Sequence, residues 1–255
     1  MAAEQDVMPS RSGTVIVEER SGWAILRIAR AAKRNALDRA TRLALLAALD
    51  ALRGGVRAVV LTGTDRSFCA GLDLKERAAE RQAGRPDSAG EEAIALNMAI
   101  RNHPAVFIAA VNGLALGAGV TLINFCDLAI MAEDAELGTP EIGFATYASM
   151  AGPTSQILLN RKRAAWMLLA TDRITAREAR DWGLVNELST GRQLLARASE
   201  LAARIAGFDP VALAETKKAL DRVPAEIAGW HEAIAYGQTV NRAIGAVRSA
   251  TESPT

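Results

Sequence analysis

The 255-residue chain has few of the residues that build cross-links, metal sites and histidine-centred catalysis. Two cysteines, Cys69 and Cys126, make neither a disulfide framework nor a metal ligand set, so no metal site is expected. Such sparse cysteine usage fits a reduced, cytoplasmic setting best. There are two histidines, His103 and His231. A histidine triad or zinc site would have to use one of them, with a nucleophile and an orienting group in reach. Neither sign of charge is in excess: 30 Lys and Arg stand against 29 Asp and Glu, for a net charge of +1. Electrostatic binding of nucleic acid needs a basic face, so no nucleic-acid partner is expected. Lys33, Arg34 and the basic residues at 161–163 read as local solvated spots. No uninterrupted apolar run is long enough to span a bilayer, so no membrane partner is expected. The opening MAAEQDVMPSRSG lacks the apolar centre of a signal peptide and reads as a disordered start, as the tail SATESPT reads as a disordered end.

The chain is instead rich in apolar residues, 50% of the total, and long enough to bury a substantial core as one large or two small domains. TVIVEER and WAILRIA flank Ser21-Gly22 and read as a β-hairpin. LDRATRLALLAALDALR carries Leu45, Leu49 and Leu52 at helical spacing behind Asp38, a plausible cap. VRAVVLTG (ending at Gly63), AVFIAAVNG (after Pro104) and DLAIMAED read as buried strands, and EEAIALNMAIRN as a helix. This alternation through residue 140 favours an α/β layout with parallel strands. Beyond residue 150 the pattern changes to helices broken by Gly and Pro. No solenoid-type repeat is visible. The most polar stretch, Lys75 to Glu92, reads as a mobile loop or a loosely held helix beside a site.

NGLALGAGVTLINFCD (Asn112 to Asp127) packs three glycines into a segment that then turns strongly apolar around Thr121. In open α/β sheets, ligands sit beyond the carboxyl ends of strands. The strand ending at Gly63 leads to TDRSFCAGLDLKE, and AVFIAAVNG leads to LALGAGVTLINF, so both put small residues there. Small residues let backbone N–H groups approach a ligand, and helix starts supply free donors. Two such groups converging on one point form an oxyanion hole. The competing reading is that Gly71, Gly117 and Gly119 only permit tight turns and close packing. A dinucleotide fingerprint is a weak fit: GAGVTL has leucine where the third glycine belongs, and no Walker lysine follows.

SFCAGLDLKE, VNGLALGAG, CDLAIMAEDAELGTPEIG and ITAREARDWGLVNE, with KRNALD near the start, resemble the enoyl-CoA hydratase/isomerase (crotonase) family over about residues 14–220. The resemblance implies a crotonase-like spiral of ββα units over residues 1–200 and a helical C-terminal trimerisation region over 201–255. It also implies a homotrimer or dimer of trimers acting on a coenzyme A thioester, with no cofactor beyond the coenzyme A of the substrate. The family's backbone oxyanion donors fall on Leu72 and Ala118; Leu72 is bulkier than the common alanine and would narrow the acyl pocket. The catalytic glutamate of the PE motif falls on Glu141. The position at which hydratases carry a first carboxylate holds Thr121. The resemblance further places Ala70, Gly117, Thr121, Lys75 and Lys33 in contact with substrate, the lysines near the nucleotide. The C-terminal segment departs from the family's acidic-Gly and Phe-Lys-Arg pattern, so coenzyme A contacts from that part are not carried over.

Proton removal beside a thioester carbonyl puts negative charge on the carbonyl oxygen, and losing one fixed N–H donor to that charge costs about 3–4 kcal/mol. A threonine hydroxyl holds a water but is no base near neutral pH. Glu141 alone suffices to carry one proton between carbons, as in family isomerases, and single-carboxylate hydration is the close variant. A non-catalytic acyl-CoA binder and a hydrolase or decarboxylase using water or tyrosine are the alternatives. Tyr147 and Ser149 could line the pocket, with Tyr147 mainly packing. Asp127 reads as a structural turn or cap residue, Asp73 and Glu76 as partners of backbone or solvent, and Cys69 as a small buried residue.

Overall fold

The structure is a computed structural model that describes residues 10–84 and 89–252. Its larger sheet has seven strands: β1 (Ser10–Ser12), β2 (Val15–Arg20), β3 (Trp23–Ile28), β4 (Ala58–Gly63), β6 (Val106–Val111), β8 (Leu128–Ala132) and β11 (Glu187–Ser189). They lie side by side in that order. The pairs β1–β2 and β2–β3 are antiparallel, and every pair from β3 onward is parallel. All six residues of β4 are buried, as expected of a central parallel strand covered on both faces. A smaller sheet runs in the order β10 (Ile174–Thr175), β9 (Glu136–Gly138), β7 (Leu114–Leu116) and β5 (Ser67–Cys69).

The helices among the described residues are α1 (Arg39–Leu52), α2 (Leu74–Gln82), α3 (Ala89–Arg101), α4 (Ala118–Phe125), α5 (Ala151–Leu158), α6 (Arg161–Ala165), α7 (Ala176–Trp182), α8 (Leu194–Ala206), α9 (Pro210–Glu226) and α10 (Trp230–Glu252). The chain passes three times through one unit: a strand of the large sheet, a short strand of the small sheet, then helix. These units are β4–β5–α2, β6–β7–α4 and β8–β9–α5, the last through a 3-10 turn at Glu141–Phe144. The result is a spiral of ββα units with helices after it. The repetition lies in the backbone path and has no counterpart in residue identity.

The hairpin, the three long buried strands and α1 form where the residue pattern places them. Asp38 caps α1 by accepting from the Thr41 N–H at 2.9 Å, and Leu45, Leu49 and Leu52 are buried. The expected disorder at the two ends needs correction. Ser10–Ser12 pairs with β2, so the expected disordered start contains a strand; residues 1–9 lie outside the described residues. Ser249–Glu252 continue α10. Of the two readings of the polar stretch from Lys75, the helix is the one found: Lys75 lies in the first turn of α2, which Asp73 caps, and residues 85–88 lie outside the described residues. The strands β5, β7 and β9 carry no strand signal in the sequence; at three residues each they are too short for an alternating pattern. The expected boundary at residue 200 falls inside α8, which packs across β3, β4, β6 and β8.

A buried ion pair helps join α9 to the core. Lys217, 6% exposed, reaches Asp127 at 2.8 Å and donates to the carbonyls of Ile100 and Ala105. Asp127 also accepts from the Phe107 N–H at 2.8 Å, so its reading as a structural residue holds. Among the described residues no helix is long and apolar enough to cross a membrane.

Candidate active site

Three neighbouring parallel strands of the small sheet, β5, β7 and β9, end on the same side. β5 leads through Ala70 to Leu72 into α2, β7 leads through Gly117 into α4, and β9 leads through Thr139 and Pro140 to Glu141. The site therefore lies beyond the carboxyl ends of the short strands, and not directly at the ends of the long ones. Tight contacts hold the three segments together. Gly117 donates to the Gly138 carbonyl at 2.9 Å, and a Cβ on Gly71 would stand 3.7 Å from the Ala118 nitrogen.

The glycines meet two separate demands. Gly117 has φ of +49°, and a Cβ there would collide with Glu141 Oε1, so the carboxylate lies directly over bare backbone. A Cβ on Gly119 would collide with the Cys69 carbonyl oxygen, so α4 crosses the end of β5 at backbone contact. The close-packing reading accounts for Gly119; the turn at Gly117 leaves the N–H groups behind it available.

Among the described residues those N–H groups have no partner. Leu37 N–H donates to Gly71 O at 2.8 Å and Asp73 N–H donates to Leu37 O at 3.1 Å, which skips Leu72. Ala118 opens α4 without a side-chain cap, where the first-turn donors have no intrahelical acceptor. Among the described residues neither N–H donates to another group of the chain. Both Leu72 and Ala118 line one cleft of about 600 Å³, together with Ala70, Gly117 and Glu141.

Glu141 begins the 3-10 turn. Its Oε2 is buried without a hydrogen-bond partner among the described residues. Burial raises the carboxyl pKa above its ordinary value, against a smaller lowering by the residue's own backbone N–H. Glu141 is also the only carboxylate among the described residues lining the cleft. A second cavity of about 620 Å³ shares Tyr147 with the cleft; no Asp or Glu is in its described lining.

A family model for enoyl-CoA hydratase/isomerase matches residues 18–251. The chain belongs to the enoyl-CoA hydratase/isomerase family. It is 35% identical over 210 residues to the 2,3-dehydroadipyl-CoA hydratase of Escherichia coli K12, covering 81% of each chain. It is 40% identical over 172 residues to a Bacillus subtilis protein, YngF, whose name carries the same hydratase/isomerase class; this spans 66% of the present chain and 65% of that one. In structure it superimposes on an enoyl-CoA hydratase of Mycobacterium smegmatis with a TM-score of 0.83 at 29% identity, covering 91% of both chains.

In this family member, not every residue singled out from sequence reaches the cleft. Thr121 is 1% exposed and donates its hydroxyl to the Gly117 carbonyl at 3.3 Å, one helical turn back. It does not line the cleft. Lys75 and Lys33 are exposed and stand outside the lining. Tyr147 and Ser149 do line it, and Tyr147 packs over Gly152 while Gln156 donates to its hydroxyl at 2.8 Å. Cys69 is wholly buried, and burial pushes its thiol up to about 12. His103 is buried with burial pulling it down to about 4; Nε2 faces Leu49 O and Nδ1 accepts from Ala105 N–H. His231 is exposed on α10, so neither histidine lines the cleft.

Sequence reasoning missed Arg77 and Arg81, which also line the cleft. The stretch reads as a mobile loop or a loosely held helix beside a site, without either arginine singled out. Sequence reasoning also missed the ion pairs that hold α2. Asp73 caps the helix through the N–H groups of Lys75 and Glu76 and pairs with Arg30 at 3.1 Å. Burial works to raise the Asp73 pKa, but Arg30 and the two N–H groups outweigh it and hold the carboxyl low. Arg42, fully buried, pairs with Glu76 at 3.4 Å and Glu92 at 3.0 Å, joining α1, α2 and α3.

Proposed function

We propose that the cleft binds a coenzyme A thioester and that the chain catalyses proton transfer through its enolate. The observation that carries this is that two N–H groups without a partner among the described residues, Leu72 and Ala118, line one cleft with a half-buried carboxylate whose Oε2 has no hydrogen-bond partner there. The thioester oxygen accepts from both donors. Glu141 takes a proton from carbon beside or conjugated with the carbonyl, and the charge moves to that oxygen, where each donor contributes about 3–4 kcal/mol. Returning the proton to a different carbon completes an isomerisation. In a hydration Glu141 takes a proton from water as the water oxygen bonds to the β-carbon, and gives that proton to the α-carbon as the enolate collapses. With Thr121 turned into its own helix, one carboxylate serves either reaction. The name of the Escherichia coli relative makes hydration of an enoyl thioester the first reaction to measure. Lys75 and Lys33, both exposed, are the cations proposed to meet the nucleotide end.

The raised pKa of Glu141 suits a base. Activity falls as pH drops through that pKa, so the acidic limb of kcat/KM lies above the ordinary glutamate value of 4.5. The sign for folding is opposite: the neutral carboxyl is the form that burial favours, so its contribution to stability is lost as pH rises through the folded pKa.

The test is turnover of a panel of enoyl thioesters by the chain and by Glu141→Gln, which keeps size and hydrogen bonding but accepts no proton. A loss of about 10²–10⁴-fold is expected, along with disappearance of the acidic limb. A folded variant with near-normal rate would move the base elsewhere, and thioester binding without turnover by the unaltered chain would favour a binder. Association into trimers is proposed from exposed apolar side chains on α10, among them Trp230 and Ile234, and is read by light scattering.

A further inference from the structure

Each proposed oxyanion donor belongs to a peptide unit whose other end is tied down. In a planar trans peptide the C=O and the N–H point in opposite directions, so a bond to the carbonyl fixes where the N–H aims. Both peptides concerned are trans. The Leu72 N–H shares its peptide with the Gly71 carbonyl, which accepts from the Leu37 N–H at 2.8 Å. The Ala118 N–H shares its peptide with the Gly117 carbonyl, which accepts twice: from the Thr121 N–H at 3.1 Å and from the Thr121 hydroxyl at 3.3 Å. Thr121 is 1% exposed, and among the described residues its hydroxyl has no other partner. A threonine that bonds back to the carbonyl four residues earlier is ordinary in a helix interior. The acceptor is what differs at this position. Deeper in a helix the N–H that shares a peptide with such a carbonyl is closed off by its own helical bond. The Ala118 N–H has no partner among the described residues, and Ala118 lines the cleft.

We infer that Thr121 is a positioning residue for the reaction: its hydroxyl holds and polarises the Gly117–Ala118 peptide and so makes the Ala118 N–H a better donor to the thioester oxygen. The inference rests on the reading of Leu72 and Ala118 as the oxyanion donors. The hydroxyl draws electron density towards the Gly117 oxygen and leaves the Ala118 N–H more positive, so the two hydrogen bonds strengthen each other across one amide. The gain grows as charge develops on the thioester oxygen, and it therefore favours the transition state over the bound ground state. Thr121 is closed off from solvent, so water does not compete for its hydroxyl. The Leu72 donor has one such bond behind it, and the Ala118 donor has two.

The experiment uses Thr121→Val and Thr121→Ser in the full chain, each first shown to be folded by circular dichroism. Valine keeps the branched shape and leaves the main-chain bond of residue 121 to the Gly117 carbonyl, so it removes the hydroxyl alone. Serine keeps the hydroxyl and takes a methyl group from a buried position, which lowers stability. On an enoyl thioester that the unaltered chain turns over, Thr121→Val is expected to lose about two- to eightfold in kcat with KM little changed, the size of one cooperative bond acting on one oxyanion donor. Thr121→Ser is expected to rescue kcat although it unfolds at lower denaturant. If the less stable Ser variant is instead the slower one, Thr121 acts only through packing and the inference is overturned. A Val variant with unchanged kcat overturns it as well. Difference infrared spectroscopy of bound butyryl-CoA, isotope-labelled at the carbonyl carbon, reads the donor directly. The carbonyl stretch is expected to be lower on the unaltered chain than free in water, and to move part of the way back in Thr121→Val. A lowered stretch that Thr121→Val leaves in place overturns the inference while the oxyanion reading stands. A stretch that the unaltered chain does not lower removes Leu72 and Ala118 as oxyanion donors, and the inference with them. Where no thioester turns over, the infrared comparison decides.

Discussion

α4 and α10 are opposite ways of being a helix in this protein. α4 is 8 residues long, and Ala118 through Ile123 are all buried. α10 is 23 residues long, packs chiefly on α9, and leaves Trp230 89% exposed. The short helix is held by its surroundings: α4 cannot move without striking β5 or releasing Gly117 from Glu141. The long one rests on its own hydrogen bonds and one neighbour. Positional precision in the cleft thus comes from backbone contact across the small sheet, and helix length adds little. Exposed apolar surface on α10 is the feature that a second chain would cover.

The comparison can be broken at the join between the two regions. Lys217 sits on α9 but its charge is spent on the core, against Asp127 and two carbonyls. Lys217→Met removes one partner of a buried pair and leaves Asp127 inside, an expected loss of about 3–5 kcal/mol by chemical denaturation. A loss under 1 kcal/mol would mean that the C-terminal helices are not fastened there.

Gly119→Ala tests the close crossing directly. Its methyl meets the Cys69 carbonyl, so α4 must shift and carry Ala118 with it. We expect a destabilisation of about 1–3 kcal/mol together with a fall in kcat, because the two N–H donors lose their common focus. The matching change at Gly245 on α10, where an added Cβ meets nothing within 4 Å, should leave both unchanged or slightly raise stability. A harmless Gly119→Ala would remove the argument from backbone contact.

The smallest effect belongs to Trp230→Ala. On a monomer an exposed side chain of this kind changes stability by no more than about 0.5 kcal/mol. A larger, concentration-dependent drop in melting temperature would show that α10 is covered in solution and would sharpen the contrast into one between intrachain and interchain packing.

The long apolar strands and α1 are legible because their periods and caps are local. Asp38 four residues before Arg42, and leucines at helical spacing, need no knowledge of the rest of the chain. The family motifs also mark Leu72, Ala118 and Glu141, which the fold brings to one cleft. The short strands that aim these residues are not legible: three residues fix no pattern, and each strand exists because its neighbour supplies the hydrogen bonds. Thr121 shows the limit at one side chain. Its position in the motif suggests a pocket residue, yet its hydroxyl bonds one turn back and is closed off. Arg77 and Arg81 show the converse: the polar stretch that holds them does not mark them in the sequence, and they line the cleft because α2 is capped by Asp73 and held by ion pairs to α1 and α3. The sequence by itself determined the alternation of strand and helix, the exclusion of a disulfide framework, and the residue types of the site. Only the tertiary structure decided which side chains face the cleft, because that depends on contacts between segments distant in the chain, such as Gly117 beneath Glu141 and Glu76 against Arg42.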